Sequence, residues 1–205
     1  MEHKIISLAP EEMPPRDAYR LMLSVIVPRP IAWVSTIGKD GTLNLAPFSF
    51  FNGVAGNPPT VMISIGQRKG QTKDTLRHVR ETGEFVVNIV DESLAEAMNQ
   101  TSGEWPYELD EFKLAGLTPA PSLAVRPPRV AGAAVAMEAQ VTQIVPVEGT
   151  TATMILGRIV RYHLREGLLR PNGLVDATLL RPMARLGGEE YTTIGNVFSM
   201  ARPKG

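Results

Sequence analysis

Short β-patterned segments follow one another across tight turns, with few helices between them, and this constrains the chain more than any other feature. Residues 31–37 are apolar and β-branched, Gly38-Lys39-Asp40-Gly41 is a turn, and residues 42–48 return as a second strand, which together read as a hairpin. Asn57-Pro58-Pro59 is another turn and leads into the β-branched run 60–65. Residues 84–90 read as a strand. Residues 134–145 alternate, with Val135, Met137, Ala139 and Val141 on one face and Glu138, Gln140 and Thr142 on the other, as in a half-exposed antiparallel strand. A link at 146–150 joins it to a long strand over 151–164, where Gly157 marks a bend or bulge. About six strands, mostly in hairpins, disfavour a doubly wound parallel sheet, which needs helices of crossover length between strands. The expected fold is mainly β, an antiparallel β-barrel with short helices, because closure removes the exposed edges of many short strands.

The helical signals are brief. Asp17 is the cap candidate for a helix through Val25, with Ala18, Leu21, Met22 and Val25 on one stripe and Pro28 and Pro30 stopping it. Residues 72–80 form a second helix ended by Gly83, and a third starts at Asp91 or Ser93 and reaches about Gln100. Residues 101–128 are irregular and rich in Pro and Gly, with Trp105, Tyr107 and Phe112 as anchors; so long a loop is usually functional or a lid. The 205 residues fit a single domain, 1–205, with 101–128 as a loop insertion and 181–205 as an extended basic tail.

Several classes of function fall away. There is no cysteine, hence no disulfide framework, thiolate zinc site or cysteine nucleophile. A net charge of zero argues against a nucleic-acid binder that neutralises phosphates. No stretch approaches the ~18 apolar residues of a spanning helix, and the first fifteen residues carry no basic and apolar leader, so the expectation is a cytoplasmic protein with no membrane role. Gly-x-Gly-x-x-Gly, P-loop and Gly-x-Ser-x-Gly patterns are missing, and His3, His78 and His163 are scattered with no metal-ligand spacing around them. No catalytic side chain stands out.

Two features carry chemistry. Arg68-Lys69-Gly70-Gln71-Thr72-Lys73-Asp74-Thr75 is a basic glycine loop opening a helix, where free backbone N–H groups, the dipole, Lys73 and the Thr75 hydroxyl suit a phosphate. The competing reading is a Thr72-capped surface helix behind a solvated loop, with Asp74 a dipole partner of the first turn. Charge is segregated around it: seven basic and two acidic residues over 29–80, then nine acidic and no basic over 81–111. Two solvated faces of opposite sign would give the same pattern. The second feature is Asn44-Leu45-Ala46-Pro47-Phe48-Ser49-Phe50-Phe51-Asn52. Pro47 cannot donate to a ladder, so pairing is expected to break there, while Ser49 and Asn52 supply polar groups and the phenylalanines flat walls. A bulged core strand with Phe48, Phe50 and Phe51 inside is the alternative.

Four segments in order, Arg29-Pro30-Ile31-Ala32-Trp33-Val34-Ser35-Thr36, Asn44 to Phe51, Pro58-Pro59-Thr60-Val61-Met62 and Lys73-Asp74-Thr75, resemble the flavin reductase-like family of FMN-binding split β-barrels. Glu84-Phe85-Val86-Val87-Asn88-Ile89 and Arg185-Leu186-Gly187-Gly188 with Tyr191 fit the same likeness, which covers about residues 18 to 200. The resemblance implies a Greek-key split barrel, a homodimer, and FMN in preference to FAD. It implies that Arg29, Trp33 and Ser35 together with Ala46, Pro47, Phe48, Ser49, Phe50 and Asn52 border the flavin ring, and that Lys73, Asp74 and Thr75 lie at its phosphate. Trp33 is either strand core or a pocket wall, and His163 either fills a strand end or sits at the cofactor. The implied activity is hydride transfer from NAD(P)H, as co-substrate, to flavin. The rival is an FMN-binding electron-transfer or carrier protein with no NAD(P)H activity.

Overall fold

A computed structural model describes residues 4–203; His3 and the last two residues of the 181–205 tail lie outside the described residues. Its centre is a seven-stranded, wholly antiparallel sheet. We label its strands β1 (Ala32–Ile37), β2 (Leu43–Phe48), β3 (Phe51–Gly56), β4 (Pro59–Ile65), β5 (Glu84–Ile89), β6 (Val135–Pro146) and β7 (Thr153–Leu164). In space the order is β2-β1-β5-β6-β7-β4-β3. The two edge strands, β2 and β3, are consecutive in sequence and separated by Ser49-Phe50 alone. A flat sheet of this width would hold its edges roughly 29 Å apart, whereas the short link reaches about 10 Å. The sheet therefore curls until its edges meet, leaving a split between them: the mainly β, split-barrel fold. Ser64 N–H donates to the Phe50 carbonyl across the link at 2.9 Å.

β1 shows why the sequence was apolar on both sides. Ala32 and Val34 point into the barrel with Phe48, Ile63, Phe85 and Ile155. Trp33 points outward into a second core with Leu45, Met98 and Phe112. That outer core is covered by α3 (Ala95–Gln100) and α4 (Glu111–Leu114), so the stretch 101–128 contains a helix and a two-residue strand, Pro119–Ala120, where irregular chain was expected. Leu76 and Val79 of α2 (Asp74–Thr82) join the inner core.

Several expectations need correction. The first helix, α1, spans Pro15–Val25; Pro15 occupies its first turn, where a missing N–H costs nothing, and Asp17 is not its cap. A strand was overlooked at β3, because its sequence Phe-Asn-Gly-Val-Ala-Gly is too glycine-rich to read as one. Pairing does not break at Pro47: the ladder continues to Phe48 opposite Ala32, and proline is tolerated because β2 is an edge strand. Thr72 does not cap α2; Lys73 holds the cap position and offers no side-chain bond. Glu138 is fully buried, not on a solvated face. Its carboxylate accepts from the backbone N–H groups of Leu123, Ala124 and Val125 and bonds His163 Nε2, pinning the end of the 101–128 stretch to β6.

Gly157 lies at a register shift between β7 and β6. A Cβ there would stand 2.4 Å from the Phe85 ring. Gly157→Ala should destabilise the fold by ~1–3 kcal/mol through overpacking, read as a lower urea midpoint. Phe85→Leu in the same chain should recover part of that loss beyond additivity; strictly additive midpoints would contradict the contact.

Candidate functional site

Two cavities flank the split where β2 leaves the sheet. The first, about 440 Å³, lies between the inner end of β2, the start of α2 and the 101–111 segment. The second, about 730 Å³, lies between the Pro47–Phe50 corner, α1 and the short strands of the tail. Pro47, Phe48, Lys73 and Ser102 line both.

The first cavity offers groups that can hold an anion, beside Asp74, Glu104 and Glu111. The N–H groups of Asp74, Thr75 and Leu76 begin α2 with no acceptor among the described residues, since Arg77 makes the first internal bond, to Lys73 O. The helix dipole adds positive potential at that end. Lys73 Nζ stands 5.5 Å from the Phe48 ring centroid. Desolvation, with Arg68 as a like-charge neighbour, lowers its pKa, and Glu104 works the other way. A partly desolvated ammonium with no direct carboxylate partner among the described residues gains from an incoming anion. Glu104 instead pairs with Lys69 at 2.8 Å and Arg68 at 3.7 Å, tying the glycine loop to the 101–105 segment on the exposed rim. Thr75 is buried, and its Oγ1 accepts from Asn44 Nδ2 at 2.8 Å.

The second cavity mixes apolar surface with few polar groups. Phe48, Ser49 and Phe50 turn through its wall. Arg29 is buried beside it, and its guanidinium donates to the carbonyls of Leu23, Ile26 and Leu186, stapling the end of α1 to the tail. Its Nε is an unpartnered buried donor, the one such side-chain atom among the described residues. The pair Ala184–Arg185 adds to Arg29–Pro30, and Tyr191–Thr192 follows as a third short strand. Arg185 donates to Tyr191 Oη and stacks 4.4 Å above its ring. The Arg185 to Tyr191 segment thus closes one side of this cavity.

Of the residues expected at the site, the structure gathers Ala46, Pro47, Phe48, Lys73, Asp74 and Thr75 around the first cavity and Arg29, Pro47, Phe48, Ser49, Phe50 and Lys73 around the second. It does not bring in the others. Trp33 is core, with Nε1 donating to Thr101 Oγ1 at 2.8 Å. Ser35 is buried and donates to the Pro128 carbonyl. Asn52 is exposed, its Oδ1 accepting from Gly53 N–H. His163 holds Glu138 and lines neither cavity.

Sequence reasoning missed Glu111 and Asn44 as site residues. Asn44 shared the inward face of its strand with Ala46 and Phe48, a signal that was present. Glu111 had none: it arrives from a distant loop. It lines the first cavity and accepts from Leu45 N–H at 3.1 Å. Burial, with Asp74 and Asp110 as like charges, pushes its pKa up to about 7 despite that bond.

A family model described as Flavin reductase like domain matches residues 22–180. Nitrilotriacetate monooxygenase component B from Bacillus cereus is 38% identical with a TM-score of 0.93, covering 97% of this chain and 100% of that one. 2-Nitrobenzoate 2-nitroreductase from Pseudomonas fluorescens is 30% identical with a TM-score of 0.87, over 97% and 96% of the two chains. A split-barrel protein from Shewanella frigidimarina, 20% identical with a TM-score of 0.85 over 94% and 96%, shares the fold.

Between its ordinary value near ~4.3 and about 7, Glu111 is protonated when folded and ionised when unfolded. The folded state then binds more protons, so stability falls as pH rises through that window. Glu111→Gln should remove the fall. In urea titrations of flavin-free protein, the parent should lose on the order of 1–3 kcal/mol relative to the variant between pH 5 and pH 8. Parallel pH profiles would refute it.

Proposed function

We propose, for a chain that belongs to the flavin reductase-like family, that it is an FMN-binding flavoprotein acting as an NAD(P)H-dependent flavin oxidoreductase. The observation that carries this reading is the junction of the two cavities at Lys73 and Phe48. An anion site and a flat-walled apolar cavity share one wall, as a ligand with a phosphate at one end and an aromatic ring at the other requires. The residues fit the group: three orphan amides and a partly desolvated ammonium for the phosphate, and one orphan buried donor, Arg29 Nε, at the ring cavity. Lys73 and Thr75 would hold the phosphate, and Pro47, Phe48, Ser49 and Phe50 would border the ring. FMN is preferred to FAD because a single phosphate accounts for the basic groups.

Held by Lys73, Thr75 and the Pro47–Phe50 corner, a flavin would supply the redox chemistry of hydride transfer from a reduced nicotinamide. The chain contributes position and electrostatics. Phe48 and Phe50 exclude water from the ring cavity, and the positive end of α2 offsets phosphate charge. No side chain is assigned as acid or base.

The same reading includes a homodimer in the cytoplasm, where reduced nicotinamide is at hand. Ile5, Ile6, Phe198 and Met200 are each more than three-quarters exposed, an apolar surface at both ends of the described chain suited to burial by a second copy. A single 1–205 domain is part of the proposal. No helix among the described residues is long and apolar enough to cross a membrane.

The purified protein should show a flavin visible spectrum, as isolated or after FMN loading and desalting. With FMN present it should consume NADH or NADPH. Flavin binding without oxidation of either nucleotide would select the electron-transfer or carrier alternative; a protein that stays colourless would reject both. Lys73→Ala with Thr75→Ala should weaken FMN binding by roughly 10²-fold, two charge-assisted contacts being lost. Unchanged affinity would move the phosphate elsewhere.

A further inference from the structure

Beside the first cavity runs a line of polar groups, exposed at Asp40, partly exposed at Tyr107 and buried from His78 to Thr75, most of which the proposed chemistry leaves unused. Tyr107 Oη lies 2.9 Å from Asp40 Oδ2 and 3.1 Å from Oδ1. It also lies 3.2 Å from His78 Nε2. His78 is fully buried, and its Nδ1 is 3.1 Å from Thr36 Oγ1. Thr36 Oγ1 is 3.4 Å from Asn44 Nδ2, which donates in turn to Thr75 Oγ1 at 2.8 Å. Asp40 is at the hairpin turn, Thr36 on β1, Asn44 on β2, and His78 and Thr75 on α2. With Tyr107 in the 101–128 stretch, the line links five parts of the chain and ends at the cavity wall.

Counting protons gives it one direction. The Asp40 carboxylate only accepts; Thr42 N–H and the Tyr107 hydroxyl both hold it ionised, with its pKa lowered. Tyr107 therefore spends its one proton on Asp40 and can only accept from His78. Nε2 of the imidazole must carry the hydrogen, and burial disfavours a second proton on the ring. Nδ1 is then an acceptor, so the Thr36 hydroxyl donates to it. Thr36 Oγ1 offers Asn44 lone pairs alone, which selects the amide nitrogen of Asn44 for this side. The same nitrogen faces Thr75. Thr75 Oγ1 thus accepts from Asn44, and its own hydrogen finds no protein acceptor among the described residues. With the amide reversed, Asn44 Oδ1 would take that hydrogen and compete with any ligand.

We infer that Asp40, Tyr107, His78, Thr36 and Asn44 form a directional hydrogen-bond relay that holds the Thr75 hydroxyl as a donor to a phosphomonoester oxygen. It thereby sets the preference for a phosphorylated flavin over an unphosphorylated one. The inference rests on the phosphate lying at Thr75, as proposed above. Tyr107 is braced for the task, with Arg77 stacked 4.1 Å from its ring centroid and itself paired with Glu81 at 3.2 Å. Gly38 leaves the room: a Cβ there would meet Asp40 Oδ1 at 2.6 Å, Tyr107 Oη at 2.9 Å and His78 Nε2 at 3.0 Å. His78, Thr36 and Asp40 line neither cavity and are positioning residues.

The test compares FMN with riboflavin, which lacks the phosphate, by flavin fluorescence titration. Thr36→Val keeps the side-chain shape and removes the hydroxyl. It should lower FMN affinity roughly ten-fold and leave riboflavin affinity unchanged. Thr36→Ser should restore the parent's preference. Tyr107→Phe, which keeps the ring under Arg77, should act as Thr36→Val does, and serves should the valine variant fail to fold. FMN affinity unchanged in Thr36→Val and Tyr107→Phe but reduced in Thr75→Ala would overturn the relay while keeping the phosphate site. Equal losses for FMN and riboflavin would overturn it too. A parent protein that binds both flavins equally would remove the phosphate site and the relay together.

Discussion

A link of two residues, Ser49-Phe50, joins the opposite edges of a seven-stranded sheet, and the rest of the structure follows from it. The short tether forces curvature on the sheet, and curvature makes an interior. The interior must be filled by side chains of β1, β2, β4, β5, β6 and β7, which accounts for the apolar residues of those strands. Because the join is a bend in the chain and not a continuous ladder, the barrel stays split there. Both cavities open at that split, against the same corner residues. The unsatisfied geometry of closure and the candidate binding site are one place.

Charge is distributed to suit it. The start of α2 carries free amides and Lys73, and the acidic stretch that follows in sequence folds back beside this basic end. Glu104 takes up Lys69 and Arg68 on the rim, and among the described residues no carboxylate pairs with Lys73. Deeper in, the acidic Glu111 is held by Leu45 N–H in surroundings that favour its neutral form. A carboxyl whose pKa is raised to about 7 repels an incoming anion less than a fully ionised one would.

Much of this was legible in the residues. The hairpin 32–48, the glycine end of α2 at Gly83 and the irregular register at Gly157 follow from local pattern, because turns, caps and alternation are decided by neighbours in sequence. What escaped reading was decided at a distance. Strand β3 exists because β4 pairs with it, against the preference of its glycines. Trp33 is core because α3 and α4 cover that face. Glu138 looked like a solvent-facing residue of an alternating strand, and it is buried because three consecutive amides of a loop close on it. Glu111 reaches the cavity across more than sixty positions from its backbone partner, a separation that no periodicity reports. The proline in β2, read as a break in pairing, instead marks the edge of the sheet.

The Arg29 staple has a consequence in time as well as in space. Its guanidinium joins carbonyls at residues 23 and 26 to one at residue 186. During synthesis the early helix and the first strand leave the ribosome long before their partner does. One side of the larger cavity, from Arg185 to Tyr191, is made well after the hairpin and α2. The residues of the β1–β2 hairpin and of the start of α2 lie close together in sequence, but the larger cavity lacks a wall until residues 185–191 have emerged. Order of synthesis thus separates the two cavities, the one at the start of α2 before the larger one.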